Sequence, residues 1–174
     1  GRLWSRPDLP AALAEYVDLV RQLNPDGKLR LYPGSPWLAL HAMREQDRLK
    51  LFELHSSDAR HLQENFKDAG RRVTIAASDG FAGLKALLPP APRRGLILID
   101  PSYEMREDYQ QVLHALRDNL PRFSTGLYAL WYPQLAKPES AQLPDKLKRL
   151  VGKNWLHVAL TVRTPAAEGI GMHG

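Results

Sequence analysis

The chain contains no cysteine. Disulfides, thiolate metal sites and cysteine nucleophiles are excluded on that count, and the redox compartment is left open. No apolar run approaches the roughly 18 residues of a membrane-spanning helix, so no membrane partner is expected. No signal segment is visible, and there is no internal repeat or low-complexity tract. The six histidines show no metal-ligand spacing. His55, His61 and His114 read as surface or boundary positions, and no metal site is expected.

What is present is an ordinary globular balance: 44% hydrophobic and 25% charged residues over 174 positions, enough for one domain with a sizeable core. The 24 Lys and Arg outnumber the 19 Asp and Glu, for a net charge of +5. That mild basicity is compatible with a polyanionic partner without identifying one. The cations form small groups, Arg71-Arg72, Arg93-Arg94, and Lys146, Lys148, Arg149 and Lys153, and any one group by itself reads as a solvated face. The chain begins at Gly1 without a methionine and ends in the irregular Gly169 to Gly174, as expected of a piece of a longer protein.

The most informative stretch is Gly95-Leu96-Ile97-Leu98-Ile99-Asp100-Pro101-Ser102-Tyr103. Its first five residues read as a strand buried on both faces of a parallel sheet. Pro101 cannot donate to a ladder, so the strand must stop there. Ligand crevices of open α/β sheets lie outside the carboxyl ends of the strands, which puts Asp100 and Tyr103 at a crevice rim. An isolated Asp-Pro-x-Tyr is more often a turn with the acid as a helix cap.

Periodicity organises the rest. Residues 8–24 read as a helix with Leu9, Leu13, Val17 and Val20 on one stripe, and Asp8 and Pro10 at its start. Asn24-Pro25-Asp26-Gly27 is a turn, and Lys28 to Tyr32 a short extended piece. Ser35 is placed as an N-cap, with Pro36 opening a helix to about Glu45. Strands then alternate with helices. Leu49 to His55, Arg72 to Ala76, Gly95 to Ile99, Thr125 to Tyr132 and Trp155 to Arg163 read as strands. Helices fall over residues 57–68, 81–88, 106–120 and 143–151. This alternation predicts an α/β fold with a mostly parallel sheet and helices on both faces. Residues 1–46 form an added helical layer and residues 47–174 the core.

Three acids, Glu53, Asp79 and Asp100, thereby end three successive strands. In dinucleotide-type folds an acid ending the second strand accepts hydrogen bonds from a ribose diol. An acid on the next strand can accept from an adenine amine, and a third can hold a target amine.

Asp100-Pro101-Ser102-Tyr103 resembles the Asp-Pro-Pro-Tyr signature of S-adenosylmethionine-dependent amino methyltransferases. Wider runs resemble one family. They are Tyr32-Pro33-Gly34-Ser35-Pro36, Arg44-Glu45-Gln46-Asp47, Glu53-Leu54-His55, Asp79-Gly80, Arg93 to Pro101, Tyr103-Glu104-Met105 and Tyr128-Ala129-Leu130-Trp131-Tyr132-Pro133. Together they resemble the bacterial 23S ribosomal RNA adenine-N6 methyltransferase family, RlmJ, over nearly the whole chain.

The resemblance implies a Rossmann-like methyltransferase fold with a small helical insertion. It implies S-adenosylmethionine as cofactor, 23S ribosomal RNA as partner, and a cytoplasmic, monomeric enzyme. Glu53 would bind the donor's ribose, Asp79 and Gly80 its adenine, and Ser35 would also touch it. Asp100, with the carbonyl of Pro101, would be catalytic and would border the donor too. Tyr103 would stack on the target base. The family's first strand and glycine-rich cofactor loop would precede Gly1, so a chain lacking them is expected to hold the donor weakly or not at all. Ser102 departs from the usual second proline and is expected to loosen the loop. Two other readings stay open at this point: an amino methyltransferase acting on DNA adenine or protein glutamine, and a non-catalytic nucleotide- or RNA-binding domain.

Overall fold

A computed structural model describes residues 3–162 and 172–174. The chain forms two compact units, Gly1–Asp79 and Gly80–Gly174. The first holds α1 (Ala11–Gln22), α2 (Ser35–Ala42), β1 (Leu49–Phe52), α3 (Ser56–Asn65), a 3-10 turn over Lys67–Arg72, and β2 (Val73–Ala76). The second holds α4 (Gly80–Leu87), β3 (Leu96–Ile99), α5 (Arg106–Asn119), β4 (Leu127–Leu130) and α6 (Pro138–Val151).

Each unit carries one parallel strand pair joined by a helix. In the first, β1 and β2 run parallel with Leu49 opposite Val73 and Phe52 opposite Ala76. In the second, β3 and β4 run parallel with Leu96 opposite Leu127 and Ile99 opposite Leu130. Parallel strands need a long crossover, and α3 and α5 supply it. The expected alternation, parallel pairing and mixed α/β class are therefore present.

In the first unit, Asn24 organises the turn after α1. Its buried carboxamide donates to the carbonyls of Val20 and Leu31 at 2.9 and 2.8 Å and accepts from the amides of Arg30 and Leu31 at 2.8 and 2.9 Å. The extended piece over residues 28–32 is thus held by side chains rather than by a sheet, with the Lys28 amide also donating to Asp26 at 3.1 Å and Tyr32 bonded to Tyr16. Asp8 does not cap α1. Pro10 stands at the cap position and Asp8 pairs with Arg6 at 2.9 Å.

The second unit has one core. Ile97 and Ile99 from β3 meet Tyr103, Tyr109, Val112, Leu116, Phe123 and Leu143. The α5-to-β4 connection turns on Phe123, whose side chain is completely buried. Tyr128 donates to the carbonyl oxygens of Asn119 and Phe123, both at 3.2 Å.

Four further expectations are corrected. Ser35 is the first residue of α2, and Gly34 holds the cap position, with the amide of Trp37 donating to the Gly34 carbonyl at 3.1 Å. The Gly95–Ile99 segment is buried on one face only: Ile97 and Ile99 are covered, but Leu96 and Leu98 are 65% and 51% exposed. The alternation of the pleat sends successive side chains to opposite faces, and the core lies on the Ile97 side alone. The last helix starts at Pro138 rather than Leu143, and Pro144 sits inside it. There the buried hydroxyl of Ser140 donates to the Pro133 carbonyl at 2.7 Å and accepts from the Leu135 amide at 3.1 Å, fixing the helix start.

The fourth concerns the last strand. Residues 155–162 form no ladder, and Leu156, Val158, Leu160 and Val162 are all exposed. An alternating pattern makes a strand only where a neighbouring edge accepts it. Here Gln134 holds the segment instead, donating to the Leu160 carbonyl at 3.2 Å and accepting from Thr161 at 3.1 Å. Of the expected irregular end, Gly169 to Gly171 lie outside the described residues, as does Arg163. Gly174 accepts from the Gln134 amide at 2.7 Å and His173 from Val162 at 2.8 Å.

Gly126 is fixed by this packing. A β-carbon there would lie 2.6 Å from two ring carbons of Phe123. Gly126→Ala is expected to destabilise the full-length protein by about 1–3 kcal/mol through overpacking. A lowered thermal midpoint checks it, and an unchanged one contradicts it.

Candidate active site

The carboxyl ends of β3 and β4 are tied together by two consecutive hydrogen bonds. The Trp131 amide donates to the Ile99 carbonyl at 3.1 Å, extending the ladder one step past both strands. The Tyr103 hydroxyl donates to the Trp131 carbonyl at 2.9 Å. Its ring, 1% exposed, tilts against Tyr109 with centroids 4.8 Å apart. Burial, and then the nearby Asp100 carboxylate, raise the Tyr103 phenol well above its ordinary range, so it stays protonated as a donor.

Tyr103 has φ of 55°, a left-handed conformation unusual for a non-glycine residue. Such a backbone persists where its surroundings over-determine it. Here the buried ring and the hydroxyl bond do so. Between this anchor and the strand end, Asp100, Pro101 and Ser102 form a three-residue arch. Asp108 braces its far side by accepting from the Met105 amide at 3.3 Å, with the Ser102 hydroxyl at 3.5 Å. Arg106 at the start of α5 pairs with Glu139 at the start of α6 at 2.5 Å.

On the arch, Asp100 is exposed, and among the described residues neither its carboxylate nor the Pro101 carbonyl takes part in a hydrogen bond. Partial desolvation raises the Asp100 carboxyl above the usual carboxylate value, and no donor offsets it. The arch therefore presents two bare acceptors, one of them a carboxylate with enhanced proton affinity.

The Tyr103 ring differs from its expected role. It does not face a crevice, and stacking on a base would require it to leave the core. Trp131, one step past β4, carries an aromatic side chain that is 47% exposed. Sequence reasoning did not single out Trp131 by itself, although it directly follows Leu130, the register partner of Ile99. It also missed the Tyr132 hydroxyl bonded to His157 Nε2 at 2.8 Å.

In the first unit, Glu53 follows β1 directly. Its amide donates to the Ala76 carbonyl at 3.1 Å, so the ends of β1 and β2 are level. Its Oε1 accepts from the His55 amide at 2.8 Å. Among the described residues Oε2 takes part in no hydrogen bond and can accept from a further donor. Asp79 is exposed and lies three residues beyond β2. Gly80 opens α4, and Ser35 is exposed at the first turn of α2. Ser35, Glu53 and Asp79 belong to the first unit, and Gly80, Asp100, Pro101 and Tyr103 to the second. His55, His61 and His114 are exposed, and among the described residues no cluster of three metal-ligating side chains occurs. No helix among them is long and apolar enough to cross a membrane.

A family model described as ribosomal RNA large subunit methyltransferase D, RlmJ, matches residues 1–174. The chain is 46% identical over 173 residues to ribosomal RNA large subunit methyltransferase J of Escherichia coli (strain K12). It is 43% identical over 173 residues to the protein of that name from Haemophilus influenzae. Each alignment covers 99% of this chain and 61% of the relative, so the chain spans about three-fifths of their length. A crystal structure of a Legionella pneumophila protein superposes with a TM-score of 0.79 at 40% identity, covering 85% of this chain and 55% of that one.

Because desolvation raises the Asp100 carboxyl in the folded state, its ionisation weakens the fold at neutral pH. The sign follows from linkage: wild type is relatively more stable below the unfolded carboxylate pKa and loses that advantage as pH rises through the folded one. Asp100→Asn is thus expected to raise the thermal midpoint at pH 7, with the gap closing as pH falls below the ordinary carboxylate range. A gap that is absent at pH 7, or that widens in acid, contradicts this.

Proposed function

The chain belongs to the ribosomal RNA large subunit methyltransferase family RlmJ, and from that premise we propose that the protein methylates the exocyclic N6 amine of an adenosine in 23S ribosomal RNA, using S-adenosylmethionine, as a cytoplasmic monomer. The observation that carries this reading is the braced arch after β3, which holds the Asp100 carboxylate and the Pro101 carbonyl without partners.

The adenine amine is a poor nucleophile because its lone pair is delocalised into the ring. Asp100 and the Pro101 carbonyl accept its two N–H bonds. Holding both favours a pyramidal nitrogen with its lone pair directed away from the arch. Most of the acceleration comes from that positioning and from the negative charge facing the developing positive nitrogen. Asp100 then takes the released proton, and its raised proton affinity suits that task. Tyr103 is a positioning residue that holds the arch. Trp131 offers the extruded base an aromatic face, offsetting part of an unstacking cost of a few kcal/mol.

S-adenosylmethionine supplies, when bound, an electron-poor methyl group on sulfonium. Glu53 fits its ribose hydroxyls through the carboxylate oxygen that His55 leaves open. By the resemblance, Asp79 and Gly80 would take its adenine, Ser35 would add a hydroxyl, and Asp100 would meet the transferred group. These assignments follow the resemblance residue by residue, and the acceptor chemistry of Glu53 and Asp79 suits the donor's hydroxyl and amine hydrogens. No metal is required.

Asp100→Ala in the full-length protein is expected to lower methyl incorporation into protein-free 23S ribosomal RNA by at least about 10²–10⁴-fold, with the circular dichroism spectrum unchanged. Wild-type turnover in this variant overturns the proposed role. Equal incorporation into DNA or a glutamine peptide by the wild type overturns the proposed substrate.

A further inference from the structure

In the second unit, α5 and α6 pack side by side and leave an open trough of about 340 Å³ between them. Leu113 and Leu150, both half-buried, line it, along with the exposed cations Arg117, Lys146 and Arg149. Residues three or four apart share a helix face, so Leu113 and Arg117 belong to one wall and Lys146, Arg149 and Leu150 to the other. Among the described residues no acid lines the trough.

The three cations are not neutralised within the described residues. Arg149 donates through Nε to the Asp145 carbonyl at 3.2 Å, which leaves its terminal nitrogens open. Asp145 itself faces Lys148 at 3.9 Å. Among the described residues Arg117 and Lys146 have no ion-pair partner, whereas Arg21, Arg30, Arg44 and Lys67 each hold a carboxylate within 3.1 Å. Cations in the last turn of a helix also complement its dipole. That effect needs no particular face, yet these three converge on one trough from two helices.

Resting on the reading that RNA is the substrate, we propose that this trough is a docking site for the RNA sugar-phosphate backbone, separate from the arch that receives the base. Arg106 and Glu139 mark the helix ends beside the arch, while Arg117 lies eleven positions further along α5, a rise of about 16 Å. The trough therefore engages a different part of the strand from the flipped adenosine. Guanidinium groups grip phosphate oxygens bidentately, Lys146 adds a point charge, and the leucine floor accommodates the sugar.

The test is filter binding of the full-length protein to protein-free, in vitro transcribed 23S ribosomal RNA across a salt series, without methyl donor. The variant Arg117→Gln/Lys146→Gln/Arg149→Gln is compared with a control of equal charge change, Lys28→Gln/Arg60→Gln/Arg71→Gln. Loss of the trough cations is expected to weaken binding at least tenfold and to flatten the logarithmic salt slope by about 2 units, with the control close to wild type. Three outcomes overturn the proposal: unchanged affinity and slope, an equal fall in both variants, or a lowered melting midpoint with RNA binding intact, which marks a dipole role. Methylation of the same RNA is measured in parallel. If wild type methylates and binds but the trough variant binds equally well, docking falls and the enzymatic reading stands. If wild type does neither, both fall.

Discussion

The hydroxyl of Tyr103 on the carbonyl of Trp131 is the contact on which the candidate site depends. It joins the loop leaving β3 to the chain leaving β4, beside the last ladder bond between Ile99 and Trp131. With the ring sunk in the core, the loop cannot swing outward without exposing a large aromatic surface. Asp100 and Pro101 are therefore held between two fixed points, the strand end and the buried tyrosine. A left-handed Tyr103 backbone is the geometric expression of that constraint. Rigid placement matters because a poor nucleophile gains most from orientation.

The same packing explains why the acceptors are bare. Ile97, Ile99 and Tyr103 point into the core shared with α5 and α6, so the pleat turns Leu96 and Leu98 away from it. Asp100 follows as the next residue after Ile99, outside the core yet shielded enough to raise its carboxyl. An ionised acid left unsatisfied and partly desolvated weakens the fold. Retaining one at a strand end is the local inconsistency expected of a functional position.

Much of this was legible in the sequence. Strand–helix alternation specified the parallel pairs, because parallel strands require crossovers of helix length. The acids at strand ends followed from where Pro101 and the turn residues stop the strands, and the family resemblance from runs such as Arg93 to Pro101. Other features were not legible, for reasons particular to each. Whether Ser35 or Gly34 caps α2 depends on one residue of register that both can satisfy. The alternating pattern over residues 155–162 carries a strand's hydrophobicity, but strand formation depends on an available edge. Tyr103 reads as exposed because the motif places it after a proline, while its burial comes from Tyr109 and Trp131, six and 28 positions downstream. Trp131 carried a signal that could have been used: an aromatic one step beyond a strand that pairs in register with β3.

The most direct measurement of the central claim is a crystal structure of the full-length protein bound to adenosine and S-adenosylhomocysteine. The adenine N6 nitrogen is expected at hydrogen-bonding distance, about 2.7–3.2 Å, from both an Asp100 carboxylate oxygen and the Pro101 carbonyl oxygen, with Tyr103 still bonded to Trp131. An adenine bound with its N6 directed away from Asp100, or an arch released from Trp131 in that complex, contradicts it.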